Sequence, residues 1–446
     1  MLHVNSAGTG LERDGRFFPL LVDTVWAAFA DVAEADWPVY LAVRRRQGFT
    51  ALLTTVLPIV HDRVEGRDSR YPYARRPDGT FDYGRPDDAY LDHAADYVRA
   101  ARDRGLEVIV AVTWANYLPG TWAARLAPDV VMPPDVLRDH VTRVARALGP
   151  LGVIFAIGGD DGYDSPAANA LYHDVIGQLR DLAPGCLVTA HAAPNARVPD
   201  DLHSRCDLHL YPSGHDVTLQ ASAWEQAERL AALRPRRPVV NVEPAYEWHG
   251  RVHGAGRWRP AEVRAATWSG ILAGAGAGLG YGAHGVWMWA TGEGDFLLGS
   301  ASLEPATWVE AMAFPGVADV ALAGHLIARH RLDRLAAAPD LLPGVPDPAF
   351  RAGATPTRDR LAFYLPYDRP VRVAADLAAR DVVAWDLARR VPFAPDVTSA
   401  DGQSVLRPTG VPEDALVLAA APEVPQWATA SQAPSAGRQP EHQGDE

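Results

Sequence analysis

Two acidic residues stand where apolar, β-branched runs end. In Arg237-Pro-Val-Val-Asn-Val-Glu-Pro-Ala-Tyr-Glu247, the residues Val239, Val240 and Val242 have the composition of a strand covered on both faces. Pro244 then stops the ladder by removing a backbone donor, which leaves Glu243 at the strand's C-terminal end. The run Gly152-Val-Ile-Phe-Ala-Ile157 ends the same way, in Gly158-Gly159-Asp160. Alone, either carboxylate fits equally well as an ion-pair partner or a helix cap. Together they fit a more specific chemistry. Hydrolysis of a glycosidic bond needs one carboxyl group that is protonated, to donate to the leaving oxygen. It needs a second that is ionised, to attack the anomeric carbon or to activate water.

The elements that must position such a pair alternate regularly. Phe17 to Thr24 is an apolar run ending beside Asp23, and Asp31-Val-Ala-Glu34 has the capping-box pattern that opens a helix through Gln47. Thr50 to Leu57 reads as a second buried strand, and a long Tyr/Arg/Pro-rich connection runs from Pro58 to Pro86. Asp87 caps a helix that Gly105 terminates, and Leu106 to Thr113 is a third strand delivering Trp114 and Asn116. Asp160 follows the fourth strand. Cys186 to Ala190 is the fifth, Asp207 to Tyr211 the sixth, the Glu243 run the seventh, and Gly285 to Ala290 the eighth. A last helix lies within Trp308 to Arg331. Eight strand-helix units in about 310 residues are the pattern of a (β/α)8 TIM barrel, whose strand C-termini form the active-site face. Strands four and seven lie across the mouth of such a barrel, so Asp160 and Glu243 are expected to face each other. The barrel is expected over residues 1–334. From 335 to 420 the pattern changes to short strands between Pro/Gly/Asp turns, Arg360 to Leu365, Val371 to Ala375, Asp381 to Asp386 and Ala415 to Ala419, the signature of a small β-sandwich. Residues 421–446, rich in Pro, Gln, Ser and Ala, are expected to be a disordered tail.

Composition narrows the partner. The net charge of −13 over 446 residues disfavours a nucleic-acid surface or a polybasic membrane patch, and there is no run of 18 apolar residues. The N-terminus has no basic region followed by an apolar core, so the expected location is cytoplasmic unless the start lies further upstream. Cys186 and Cys206 are the only cysteines, and one bridge between them is compatible with the sequence. There is no HExxH and no zinc spacing, and no G-x-S-x-G elbow, phosphate loop or dinucleotide fingerprint; neither a metal nor another cofactor is expected. The partner expected is a carbohydrate, and no oligomeric state follows from the sequence.

Several stretches resemble the apiosidase-like glycoside hydrolases of family 140. They are Phe18-Pro-Leu-Leu-Val-Asp-Thr-Val-Trp26, Arg46-Gln-Gly-Phe49, Phe81-Asp-Tyr83, Phe155-Ala-Ile-Gly-Gly-Asp160, Tyr211-Pro-Ser-Gly-His215, Asn241-Val-Glu-Pro-Ala-Tyr-Glu247, Arg264-Ala-Ala-Thr-Trp-Ser269 and Gly280-Tyr-Gly-Ala-His-Gly-Val-Trp287. The chain departs from the family pattern at Val242 and at Tyr211-Pro212. The resemblance implies a (β/α)8 catalytic domain with a C-terminal β-sandwich, with Asp160 as acid/base, Glu243 as nucleophile, and Asp23, His215 and His284 lining the sugar pocket. Trp26, Trp114, Asn116, Tyr246 and Trp287 are added as substrate-binding candidates because they stand beside the strand ends. Asp23 also fits as a cap of the turn after the first strand, and His209, between Leu208 and Leu210, fits best as a core histidine. The expected activity is a retaining hydrolase that releases a terminal sugar, a pentofuranose such as apiose, with Asp160 held protonated by its turn and by the charge of Glu243. A glycosidase of other sugar specificity and a non-catalytic carbohydrate-binding protein on a degenerate barrel are the alternatives.

Overall fold

The structure is a computed structural model that describes residues 2–60, 67, 69–292 and 303–422. Eight parallel strands form its centre: β1 Leu20–Thr24, β2 Ala51–Thr55, β3 Glu107–Ala111, β4 Ile154–Ala156, β5 Val188–Thr189, β6 His209–Pro212, β7 Val239–Glu243 and β8 Gly278–Tyr281. Almost every residue in them is buried, as strands covered on both faces require. Six of them make one curled sheet in the order β5-β4-β3-β2-β1-β8, and β6 pairs with β7 in a second. A few hydrogen bonds cross the gaps between the two sheets. The Asp207 amide donates to Val188 O at 2.8 Å and the Thr189 hydroxyl to Leu208 O at 2.9 Å, while the Ala277 amide donates to Val239 O at 3.3 Å. Helices cover the outside. In Pro134–Leu148, Leu137, Val141, Val144, Ala145 and Leu148 fall on one stripe and are all buried. Asp87 caps Asp88–Asp103 by accepting from the Ala89 amide, and Ser165 caps Pro166–Leu182 by accepting from the Ala168 amide.

Three expected elements are corrected. The eighth strand is Gly278–Tyr281, paired with β1; Gly285 to Ala290 is instead a buried set of turns closed by bonds such as Ala290 N to Gly285 O. A short apolar run looks the same in a strand and in a buried loop. Asp31 ends a short helix, Ala28–Asp31, and the next helix, Trp37–Arg46, starts where Pro38 fits the first turn. The last helix is two helices, Trp308–Ala311 and Gly316–His330, parted at Pro315. The segment Trp308–His330 is long and apolar enough, by length and composition, to cross a membrane, with a mean hydropathy of 1.5, but half of it is buried within the protein. Cys186 and Cys206 are both buried and unbridged.

Residues 336–420 form two antiparallel sheets. The larger runs Ala336–Ala337, Arg351–Ala354, Arg360–Leu365, Ala415–Ala420, Asp381–Asp386, Val391–Phe393, and the smaller runs Val371–Val373, Gln403–Arg407, Asp396–Ala400. Along Arg360–Leu365 the side chains alternate between two cores. Leu361, Phe363 and Leu365 join Val373, Leu406 and Val417 between the sheets, whereas Ala362 and Tyr364 join the core of the parallel strands. The expected tail lies outside the described residues from 423 onward.

Arg264, on the helix Pro260–Leu272, joins the two regions. It donates to both oxygens of Asp414 at 2.7–3.0 Å, to Glu413 at 2.9 Å and to Asp319 at 3.0 Å, and Tyr364 donates to Asp414 at 3.1 Å. Burial disfavours the guanidinium's charge, but Asp414 and Asp319 outweigh it and raise its pKa. Replacing Arg264 by Ala leaves Asp414 buried without its counter-charge and is expected to cost about 3–5 kcal/mol in urea denaturation. A loss below about 1 kcal/mol would show that the cluster acts no more strongly than a surface ion pair.

Candidate active site

The turn after β4 is dictated by close approach. A Cβ on Gly158 would stand 2.6 Å from the Tyr172 hydroxyl, and one on Gly159 would stand 2.1 Å from the Trp114 ring. Asp160 follows in the left-handed region at φ 53°, where Asp is tolerated better than most residues. The Trp122 indole donates to Asp160 O at 2.7 Å, and the Asp160 amide points at Nδ1 of His191 at 3.4 Å. Asp160 is partly exposed. Asp161 beside it is fully buried and accepts from the Tyr172 hydroxyl at 3.0 Å; its pKa is raised by burial against that bond.

Glu243 ends β7 with its side chain 13 % exposed. Nε2 of His191 lies 3.2 Å from one carboxylate oxygen and Nε2 of His215 lies 3.4 Å from the other. The alignment at His191 Nε2 is outside hydrogen-bond limits, so distance and charge carry that contact. Backbone amides fix both tautomers. Nδ1 of His191 accepts from the Asp160 amide and Nδ1 of His215 from the Tyr246 amide, the latter at 3.1 Å, so in each neutral ring the proton sits on Nε2 and faces Glu243. Burial alone would raise the pKa of Glu243, but the two imidazoles outweigh it and lower the value from 4.5 to about 2. His191 thus touches the backbone of Asp160 through one nitrogen and the carboxylate of Glu243 through the other. Sequence reasoning passed over it, although it stands one residue beyond the fifth apolar run.

The aromatic candidates converge here. The Trp26 indole donates to the Tyr246 hydroxyl at 3.1 Å, and its ring meets Trp114 edge-on at 4.9 Å and His191 at 5.3 Å. The Tyr246 ring lies 4.5 Å from His215 and 6.0 Å from Trp287. Trp287 donates to Nδ1 of His284 at 3.2 Å, and Nε2 of His284 donates to Leu303 O. His284 is fully buried, and burial pushes its pKa down to about 4. A second missed histidine, His249, stacks on His215 at 4.5 Å and meets His284 at 4.8 Å. Trp26 and Trp287 also form one wall of an adjoining cleft with Tyr71, Tyr90, Ile59 and Met288.

Three of the expected sugar contacts have no exposed surface: His284, with both ring nitrogens engaged, Asp23 and Asn116. Asp23 accepts from the Tyr40 hydroxyl at 2.6 Å and from Arg44 Nε at 2.7 Å, a buried ion pair below the strand ends. Asn116 is also fully buried, and its side-chain amide donates to Ala123 O at 3.1 Å, fastening the loop after β3.

No curated protein sequence is similar enough to match this chain. Solved structures share its fold. A structure described as a glycoside hydrolase superposes with a TM-score of 0.77 at 17% identity, covering 94% of this chain and 96% of the other. A glycoside hydrolase family 5 structure from Bacteroides vulgatus ATCC 8482 gives 0.74 at 17% identity, covering 94% and 93%. A glycoside hydrolase family 5 mannosidase from Rhizomucor miehei gives 0.51 at 12% identity, covering 75% of this chain and 99% of that one. The model of the apiosidase-like catalytic domain matches residues 8–333, a span that holds both strand-end carboxyl groups, so the chain belongs to the apiosidase-like family and is a glycoside hydrolase.

Proposed function

We propose that the chain is a retaining glycosidase that releases a terminal pentofuranose of the apiose type from a plant-type polysaccharide or glycoside by double displacement. We read the eight parallel strands as a (β/α)8 barrel and residues 335–420 as an appended β-sandwich domain. The observation that carries the reading is the state of Glu243, a mostly buried carboxylate kept ionised by two imidazoles, one of which, His191, also meets the backbone of the partly exposed Asp160.

Glu243 attacks the anomeric carbon while Asp160 donates its proton to the leaving oxygen, giving a glycosyl-enzyme and a free aglycone. Esterification removes the negative charge of Glu243. Asp160, now ionised, takes a proton from water as that water attacks the same carbon, and both carboxyl groups return to their first state. The tryptophan and tyrosine faces around Trp26 suit the apolar faces of a sugar ring.

Proton NMR of early hydrolysis is expected to show a product with the anomeric configuration of the substrate, the outcome of double displacement. An inverted first product would overturn the double displacement.

Variants separate the two roles. Glu243→Ala is expected to abolish turnover of every substrate. With an aryl glycoside whose leaving group is very acidic, Asp160→Ala is expected to release a burst of phenol and then stall. Azide should accelerate that turnover and yield a glycosyl azide of retained configuration. Rescue of Glu243→Ala by azide with retained product, and of Asp160→Ala with inverted product, would exchange the roles.

The pH profile tests the histidines. Because the folded pKa of Glu243 is about 2 and its ordinary value 4.5, the stabilisation from its ionised form is fully present above about pH 4.5 and fades as pH falls toward 2. The nucleophile therefore adds no acid limb to kcat/KM above about pH 3. In His191→Ala and in His215→Ala, that limb is expected to move upward by about one pH unit. An unmoved limb in both variants would mean that the imidazoles do not set the charge of Glu243.

A further inference from the structure

The far end of the parallel strands carries a second polar cavity. It lies beside the segment that enters β7, at the opposite end of that strand from Glu243, and it has a volume of about 330 Å³. Four arginines line it, Arg236, Arg331, Arg334 and Arg360, in a chain whose net charge is −13. Arg236 comes from the segment before β7, Arg331 and Arg334 from the residues that follow Gly316–His330, and Arg360 from the first residue of its strand.

The four are not equally committed. Arg331 makes a two-bond fork with Asp333, at 2.8 and 3.0 Å, and Arg360 gives one nitrogen to His330 O at 3.0 Å. Arg236 is half-buried, and neither its guanidinium nor that of Arg334 has a carboxylate or hydrogen-bond partner among the described residues. Burial and the nearby charge of Arg234 lower the pKa of Arg236, and the opposing pull of Asp333 does not overcome them. None of the acids nearby bonds to its guanidinium. Asp333 bonds to Arg331 and Thr9, Asp359 accepts from the hydroxyls of Thr355 and Thr357, and Glu12 lies 3.7 Å from His3. A half-buried charge without a partner is costly, and the planar fork of a guanidinium matches the paired oxygens of a phosphate, sulfate or carboxylate.

We infer that this cavity is a binding site for an oxyanion, taken either as a free tetrahedral ion or as the carboxylate of an acidic sugar, with Arg236 and Arg334 as its principal contacts. The volume exceeds what a bare ion fills, so an oxyanion carrying an organic group also fits. The site is separate from the sugar pocket, and its occupation does not depend on the hydrolytic mechanism.

Thermal unfolding and isothermal titration calorimetry of the full chain test this with inorganic phosphate, sulfate and glucuronate, against sodium chloride at matched ionic strength. At least one of the three is expected to raise Tm saturably where chloride does not. Response to phosphate and sulfate alone identifies a tetrahedral ion, and response to glucuronate alone identifies an acidic sugar. Arg236→Ala breaks no ion pair, so without anion its Tm is expected to equal or exceed that of the parent, while the anion-induced shift disappears. Arg334→Ala is expected to weaken binding tenfold or more. Both variants are expected to keep the parent's kcat/KM on a neutral glycoside. The assignment is overturned if all three anions act no differently from chloride, if the shift survives in the Arg236→Ala/Arg334→Ala double variant, or if Arg236→Ala lowers Tm in the absence of anion.

Discussion

Glu243 is a carboxylate taken largely out of water and kept charged by two imidazoles whose Nε2 atoms lie 3.2 and 3.4 Å from its oxygens. Each imidazole is held to that task by a backbone amide on its other nitrogen, and those amides belong to Asp160 and Tyr246. The charge on Glu243 therefore depends on the backbone path of two neighbouring strand ends and not on any single side chain. A shift of the turn after β4 would move both the acid/base candidate and the group that fixes the tautomer of His191. This coupling ties the site to the fold: β4, β5, β6 and β7 must end level with one another, and the hydrogen bonds between β5 and the segment entering β6 help to keep them so.

A second polar layer is mostly buried. Asp23 is held by Arg44 and Tyr40, and Arg44 also reaches Gln47 at 2.8 Å. Glu247 accepts from the Tyr281 hydroxyl at 2.6 Å and from the Gly316 amide at 3.0 Å, and burial, partly offset by those bonds, raises its pKa. These groups tie β1, β8 and the start of the helix Gly316–His330 together just below the histidines. Buried ion pairs of this kind add little net stability over an apolar core, but removing one partner strands a charge, so they hold register more than they add free energy.

Much of this was legible in the sequence, and the exceptions have physical reasons. The strand ends that carry Asp160 and Glu243 could be read because β-branched runs closed by glycine or proline are local signals. Asp23 stands in the same local setting and was read as a sugar contact; what distinguishes it is Arg44, 21 residues away in sequence, and no periodicity reports that pairing. The true eighth strand, Gly278-Leu-Gly-Tyr281, is half glycine and too weak a strand signal to outrank the bulkier Gly285-Val-Trp-Met-Trp-Ala290, which folds as turns. His191 was missed because a histidine after a short strand is an ordinary core residue until its neighbours in space are known. In the C-terminal region Arg360–Leu365, Val371–Val373, Asp381–Asp386 and Ala415–Ala420 were legible, whereas Ala336–Ala337, Arg351–Ala354, Val391–Phe393, Asp396–Ala400 and Gln403–Arg407 were not; Val391–Phe393 and Asp396–Ala400, exposed along much of their length, lack the alternation that marks a half-buried strand.

The clearest case of a local rule deciding a chemical one is Gly158-Gly159-Asp160-Asp161. Two adjacent carboxyl groups of the same type leave this turn with opposite fates, one partly exposed and one fully buried. The two glycines let Tyr172 and Trp114 press against the backbone where the chain bends. Asp160 sits in that bend in the left-handed region, and Asp161 after it pairs in parallel with Ala192. Asp161 is carried inward to Tyr172 and becomes part of the packing. Asp160 is left at the edge of the site, its carbonyl held by Trp122 and its amide by His191, so the backbone carrying the acid/base candidate is anchored from both sides while its side chain keeps access to solvent. A Cβ on either glycine would push Trp114 or Tyr172 away and displace the anchor with it, so the turn requires glycine at both positions for the same reason that it can present an aspartate at the next.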